Sequence, residues 1–184
     1  MQKEETKIKN KGTGAGGSNT NGNGIPYEKK TDLDDRIKIM NKNKVSTVIK
    51  FNGCDKLFVK TKQAQLFKYM KDEINKNIEG AHGCKRPDEC YIDKELKNMF
   101  IIEKKFQQGH GSVSEKIQTP DFKLWQYSRT FPNYTIIYIY CFSDFFKKKH
   151  KAELEYLKLK NIPYFWGNSE TYKDDIIKFI INYK

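Results

Sequence analysis

The sequence lacks an apolar run long enough to cross a bilayer, because its longest such run, Tyr134 to Phe142, has only the length of a strand. The first residues, MQKEE, also lack the apolar core of a signal peptide. These absences predict a cytoplasmic, intracellular protein with no membrane partner. The chain has only four cysteines, and we expect them to be free thiols because the cytoplasm is reducing.

Histidine is also scarce, with three residues in the whole chain. His82, Cys84 and Cys90 follow one another with the spacing H-x-C-x5-C. Convincing zinc sites usually contain a C-x2-C pair, which this segment lacks. The spacing therefore favours free thiols over a zinc site.

Acidic residues are outnumbered, since 35 lysines and arginines face 23 aspartates and glutamates and the formal net charge is +12. A surface this basic suits a polyanion, of which nucleic acid is the commonest. The alternative interpretation is an AT-rich genome, which raises the content of lysine and asparagine without any function. The charge favours a nucleic-acid partner.

The chain divides into a tail and one domain. Residues 12–24, GTGAGGSNTNGNG, contain six glycines and no apolar side chain larger than alanine, which is typical of a flexible segment. The remaining residues suffice for one domain with a hydrophobic core. We therefore expect a flexible segment over residues 1–24 and a single folded domain over residues 25–184.

The residue patterns predict an α/β fold in which helices flank both faces of a mixed sheet. A short polar stretch joins two strands at 87–92 and 99–106, which indicates an antiparallel hairpin. The order strand, helix, strand, helix after residue 134 indicates a parallel βαβ unit. Other strands are expected at 45–51 and 57–60, and helices at 27–42, 61–77, after Ser112 with a kink or restart at Pro120, and after Ser169.

Two carboxylates on the predicted hairpin stand out. Asp88 and Glu103 fall on its two strands and can lie opposite or diagonal to each other. Ionised carboxylates so close together repel unless a cation lies between them. Glu103 follows the apolar run Met99-Phe100-Ile101-Ile102, and a carboxylate on a buried strand is uncommon unless it is paired or binds a metal. These hard oxygen ligands suit Mg²⁺.

Strand alternation selects one lysine beside this pair. Residues i and i+2 of a strand point to the same face, so Lys105 shares a face with Glu103 and Lys104 points away. Lys105 can then orient a metal-bound water or stabilise charge on a phosphate in the transition state. The bland alternative is an ordinary charged hairpin, because charged residues make up 32% of the chain.

The segments Lys85-Arg86-Pro87-Asp88 and Phe100-Ile101-Ile102-Glu103-Lys104-Lys105 resemble the PD-(D/E)xK nuclease superfamily. Two further segments are similar to ones in type II restriction endonucleases: Gly111 to Thr119, GSVSEKIQT, and the glycine-rich opening followed by PYEKKTDL. The resemblance covers about residues 12–140. It implies a restriction-endonuclease-like mixed sheet with an antiparallel catalytic hairpin.

The resemblance also implies a function and further site residues. The function would be Mg²⁺-dependent hydrolysis of phosphodiester bonds in double-stranded DNA by a homodimer that cuts a short specific sequence. Asp88 and Glu103 would bind the metal, and Lys105 would act on the attacking water. In many such enzymes an acidic residue on the first helix joins the site, and Glu28 is the matching candidate. Gln118 is a weaker candidate for site support.

Several other residues have a possible site role and an ordinary alternative. Candidates for site support or DNA contact are His110, Ser112 and Lys104. A histidine between two glycines is more often just a loop residue, and Ser112 with Glu115 also fits a capping box at the start of a helix. Trp125, Tyr127 and Tyr134 can stack on a base, although aromatic residues at this density usually belong to a core.

Two alternative functions stay open. A repair or junction-resolving nuclease of the same superfamily would share the three residues but prefer branched or damaged DNA. A non-enzymatic DNA-binding domain would explain the charge, but it gives no reason for the buried-strand Glu103.

Overall fold

The computed structural model describes residues 18–74, 83–107 and 113–184, and within these ranges seven strands form one sheet. The spatial order of the strands follows their order in the chain. The strands are β1 Ile37–Lys42, β2 Thr47–Phe51, β3 Phe58–Thr61, β4 Glu89–Asp93, β5 Asn98–Lys105, β6 Thr135–Phe142 and β7 Tyr164–Trp166.

Within the described residues, α-helices lie before β1, after β7 and in the connections β3–β4, β5–β6 and β6–β7. Pro120 takes the first position of α4, after Thr119, so the proline restarts a helix rather than kinking one. No helix within the described residues is long and apolar enough to cross a membrane. The helices are α1 Ser18–Lys30, α2 Ala64–Ile74, α3 Val113–Ile117, α4 Pro120–Thr130, α5 Phe145–Lys149, α6 Lys151–Leu159 and α7 Tyr172–Asn182.

The sheet is mixed in the predicted way. Strands β1 to β5 pair with their neighbours in antiparallel orientation. β6 is parallel to β5, and β7 is parallel to β6. The antiparallel hairpin of β4 and β5 and the parallel unit that follows it are therefore confirmed.

Helices cover both faces of the sheet, as the residue patterns predict. Helices α2 to α6 pack on one face, which we call the site face, against side chains such as Ile101 and Tyr140. Helices α1 and α7 pack on the other, which we call the back face, against side chains such as Ile102 and Cys141. Neighbouring residues of β5 and β6 therefore enter different cores, because side chains alternate along a strand.

The helix predicted over residues 27–42 is wrong. α1 ends at Lys30, and Ile37–Lys42 form strand β1, which pairs with β2. Leu33 is buried as expected, but Met40 is exposed on the edge of the sheet. α1 also begins at Ser18, inside the segment expected to be flexible, whereas residues 1–17 lie outside the described ranges. The predicted end of the second helix near residue 77 lies outside them as well.

A glycine fixes the position of α1 against the parallel strands. A Cβ atom at Gly167 would overlap the hydroxyl of Tyr27 and lie 2.6 Å from Cγ2 of Thr31 and 2.8 Å from Sγ of Cys141. Only glycine therefore allows α1 to pack this closely on the ends of β6 and β7. Cys141 and the other three cysteines are free, as expected.

We predict that Gly167→Ala lowers the free energy of unfolding by about 1–3 kcal/mol or more, because the added methyl group has no room beside Tyr27 and Thr31. Gly24→Ala is the matched control, since it lies in α1 with nothing within 4 Å of its added Cβ. This control should be neutral or stabilising, because alanine favours helix over glycine. Urea unfolding followed by circular dichroism measures both, and equal stability of the two variants would contradict the prediction.

Candidate active site

The β4–β5 hairpin brings the two predicted carboxylates together. Glu89 of β4 pairs with Ile102 of β5, so Asp88 lies opposite Glu103 one step further along the ladder. The backbone N–H of Lys104 donates a hydrogen bond of 2.7 Å to Oδ2 of Asp88. This bond fixes the Asp88 carboxylate beside the end of β5.

Glu103 and Lys105 share the site face, as strand alternation predicts. Nζ of Lys105 donates to Oε1 of Glu103, and both side chains are largely buried. An ammonium group therefore lies directly beside the carboxylate pair, in a place where water is largely excluded.

The structure adds a second lysine, Lys123 of α4, to this site. Its Nζ lies 3.4 Å from Oε1 of Glu103 and donates to the hydroxyl of Tyr138 at 3.0 Å. The same ammonium group lies 5.5 Å from the ring centre of Tyr138 and 5.8 Å from that of Tyr140. Sequence reasoning missed Lys123, because nothing in its local pattern separates it from the chain's many other lysines.

The pKa values of the two carboxylates are shifted in opposite directions. Burial and the charge of Glu103 raise the pKa of Asp88 to about 6. Burial also acts to raise the pKa of Glu103, but the charges of Lys105 and Lys123 outweigh it and hold that pKa below its usual value. Burial and the charge of Lys105 lower the pKa of Lys123. The site therefore holds an ionised Glu103 and an Asp88 that titrates close to neutrality.

Glu28 lies within electrostatic reach of this site. It is exposed near the end of α1, and its charge contributes to raising the pKa of Asp88. Its backbone carbonyl accepts a hydrogen bond of 2.8 Å from Nζ of Lys104. The first-helix carboxylate suggested by the resemblance thus makes a small electrostatic contribution at Asp88, and its backbone is anchored by Lys104.

The side chain of Lys104 lies on the back face of β5, on the opposite side of the sheet from Glu103 and Lys105. Its Nζ lies 2.7 Å from Oε1 of Glu89, and the two side chains are 2% and 3% exposed. Tyr91 donates to the other oxygen of Glu89 at 3.1 Å. Because Lys104 also binds the Glu28 carbonyl, this back-face ion pair joins α1 to the β4–β5 hairpin. Its burial leaves no surface with which Lys104 could contact DNA.

The remaining candidates are not gathered at the carboxylates. Gln118 is exposed in the turn between α3 and α4. His110 and Ser112 lie outside the described residues. Of the aromatic candidates for stacking, Tyr127 is buried and donates from its hydroxyl to the carbonyl of Lys85, whereas Trp125 is exposed.

The donor set fits a hard divalent cation. Within residues 18–74, 83–107 and 113–184, no group of three or more His, Cys, Asp and Glu side chains is placed to hold a metal. Mg²⁺ does not need such a group, because it is commonly held by one or two carboxylates, several waters and a substrate phosphate. Burial and then the charge of Glu103 raise the pKa of Asp88, and a cation bound between the two carboxylates would oppose both effects.

Comparison with protein-family models gives no match, and comparisons with curated proteins and with solved structures give none either. The functional argument therefore depends on the residues and geometry of this chain.

We predict that Lys104→Met lowers the free energy of unfolding by about 3–5 kcal/mol, because it leaves Glu89 as an unpaired buried carboxylate. The double variant Lys104→Met with Glu89→Gln should recover most of this loss, since the buried charge is removed and the amide still accepts from Tyr91. Lys38→Met, on the exposed edge strand β1, is the matched control and should change little. A double variant as unstable as Lys104→Met would contradict this explanation.

We also predict that Asp88→Asn becomes stabilising as the pH rises in metal-free buffer. The pKa of Asp88 is raised in the folded protein to about 6 from 3.8, so its contribution to stability is present below pH 3.8 and lost as the pH rises to 6. The variant cannot ionise and avoids this loss, which corresponds to about 3 kcal/mol. Urea unfolding of both proteins at pH 4 and pH 7.5 measures the change, and an equal difference at the two pH values would contradict it.

Proposed function

We propose that the protein is a Mg²⁺-dependent DNA endonuclease whose active site is formed by Asp88, Glu103 and Lys105. The observation that carries this proposal is the hairpin geometry. Asp88 lies opposite Glu103, and Lys105 donates to Glu103 on the same face of β5. Two carboxylates with an ammonium group beside them are the groups that metal-assisted hydrolysis of a phosphodiester requires.

Asp88 and Glu103 would hold the metal. When bound, Mg²⁺ lowers the pKa of a coordinated water and neutralises charge on the phosphate. The carboxylate of Asp88 is held in place by the Lys104 N–H, and that of Glu103 by Lys105 and Lys123. Both ligands are thus oriented before substrate arrives, so little reorganisation is needed when the reaction occurs.

The two lysines have different surroundings and different roles. Lys105 lies at the end of β5 and would orient the attacking water and stabilise negative charge on the phosphate. Lys123 donates to Tyr138 and lies near two aromatic rings, which restrict its movement. It would hold Glu103 in its binding orientation and contribute a second positive charge beside the phosphate.

The substrate is proposed to be double-stranded DNA. The formal net charge of +12 supports binding to the phosphate backbone, and Lys85 and Arg86 are exposed directly before Pro87-Asp88. The combination of antiparallel hairpin and parallel unit agrees with the fold that the resemblance to type II restriction endonucleases implies. On that resemblance we propose that the enzyme acts as a homodimer and cuts a specific short sequence.

We predict that Asp88→Asn and Lys105→Ala each lower the rate of Mg²⁺-dependent plasmid cleavage by about a hundredfold or more, since each removes a group that acts in the transition state. DNA binding should persist in both variants, because the basic surface is largely unchanged. Lys38→Ala removes the same charge as Lys105→Ala at the far edge of the sheet and should cleave normally. EDTA should abolish cleavage by the wild-type protein.

The products separate the proposed function from its alternatives. Discrete fragments from a sequenced plasmid support a site-specific endonuclease, whereas preference for a four-way junction over linear duplex supports a repair or junction-resolving enzyme. Binding that weakens steeply with salt but is never followed by cleavage would support a non-enzymatic DNA-binding domain. Full activity in both active-site variants would remove the site assignment.

A further inference from the structure

An aromatic pair lies exposed on the outer side of α4. Phe122 and Trp125 are 57% and 53% exposed, and because they adjoin each other they form one apolar patch rather than two scattered side chains. Their rings stack with centroids 5.7 Å apart and planes inclined by 25°. The guanidinium of Arg129 lies 5.8 Å from the ring centre of Trp125. Aromatic faces and a cation therefore form one surface along α4.

This surface adjoins the candidate active site through α4. Lys123 lies between Phe122 and Trp125 in the chain, and its side chain points inward to Glu103. Because an α-helix rises 1.5 Å per residue, the aromatic pair lies on the same turn of the helix as this lysine. The surface and the site thus lie on opposite sides of one helix turn, and a nucleic acid that contacted both would pass around α4.

The charge of the surface favours a nucleic acid. Arg129 is exposed, and its guanidinium lies against the ring of Trp125. The neighbouring carboxylate, Asp121, is paired with Lys160 at 2.8 Å. The groups next to the two rings thus leave a cationic balance, as a phosphate backbone requires.

We propose that Phe122, Trp125 and Arg129 form a stacking platform for an unpaired nucleobase of the bound nucleic acid. This inference rests on the proposed function and specifies the substrate further. Bases inside a duplex have both faces covered by their neighbours, whereas an unpaired base offers a free face to an aromatic ring. The base can come from a single-stranded segment or can be extruded from a duplex.

The chain offers a direct optical test. It contains two tryptophans, and Trp166 is packed beside Phe142 and Tyr164, so Trp166→Phe leaves Trp125 as the single reporter. The variant is combined with Asp88→Asn to prevent cleavage. It is titrated in buffer with about 5 mM Ca²⁺ and in buffer without Ca²⁺. The three probes have equal length: oligo-dT, a fully paired duplex and a duplex with one central mismatch. Both buffers are used because cations compete with the protein for the phosphates.

Oligo-dT should quench the fluorescence of Trp125, since stacking places a base against the indole. Quenching by the mismatched duplex as well would show that the platform takes extruded bases, whereas quenching by oligo-dT alone would show that it takes single-stranded segments. In the otherwise wild-type protein, Trp125→Ala should weaken binding of oligo-dT by about 5- to 150-fold. Leu159→Ala, another exposed apolar residue, is the matched control and should leave binding unchanged.

Two results would overturn the platform. One is unchanged fluorescence with all three probes together with unchanged affinity in Trp125→Ala. The other is a dimer that dissociates in Trp125→Ala without any loss of oligo-dT binding, because the rings would then contact a second copy of the chain. Failure of the proposed function is read separately as absence of Mg²⁺-dependent cleavage by the wild-type protein, so the two failures are distinguishable.

Discussion

The antiparallel register of β4 and β5 determines where the two carboxylates of the candidate site lie. Glu89 pairs with Ile102, and this places Asp88 opposite Glu103. A shift of one residue would turn Glu103 to the back face and separate it from Asp88, because side chains alternate along a strand. Helices cover both faces, so the same shift would disturb two apolar cores. The packing of the whole sheet therefore maintains the distance between the carboxylates.

Strand β5 carries charge into both cores. On the site face Glu103 is held by two lysines, and on the back face Lys104 pairs with Glu89. Burying such ions costs several kcal/mol, and apolar side chains of similar size often give equal or greater stability. The chemistry proposed for the site face would account for the first group. Attachment of α1, and with it Glu28, accounts for the second.

The local sequence pattern was sufficient to predict part of this arrangement but not all of it. The fixed period of a strand places Glu103 and Lys105 together and separates Lys104 from them. Lys123 could not be found this way, because its contact with Glu103 depends on how α4 packs on the sheet. The expected helix over residues 27–42 failed for a similar reason. Its apolar spacing fits a helix, but pairing with β2 makes Ile37–Lys42 a strand.

The agreement between strand order and chain order has a consequence for how the site assembles. Every strand after β1 pairs with the one before it in the chain, so each can add to a neighbour that has already been synthesised. The turn between β4 and β5 joins the two carboxylates early, whereas Lys123 arrives only when α4 has been synthesised and has packed. A nascent chain that ends before α4 thus holds Asp88 and Glu103 with a single neighbouring ammonium group. Electrostatic repulsion in the unfinished hairpin is then relieved by the helix that completes it.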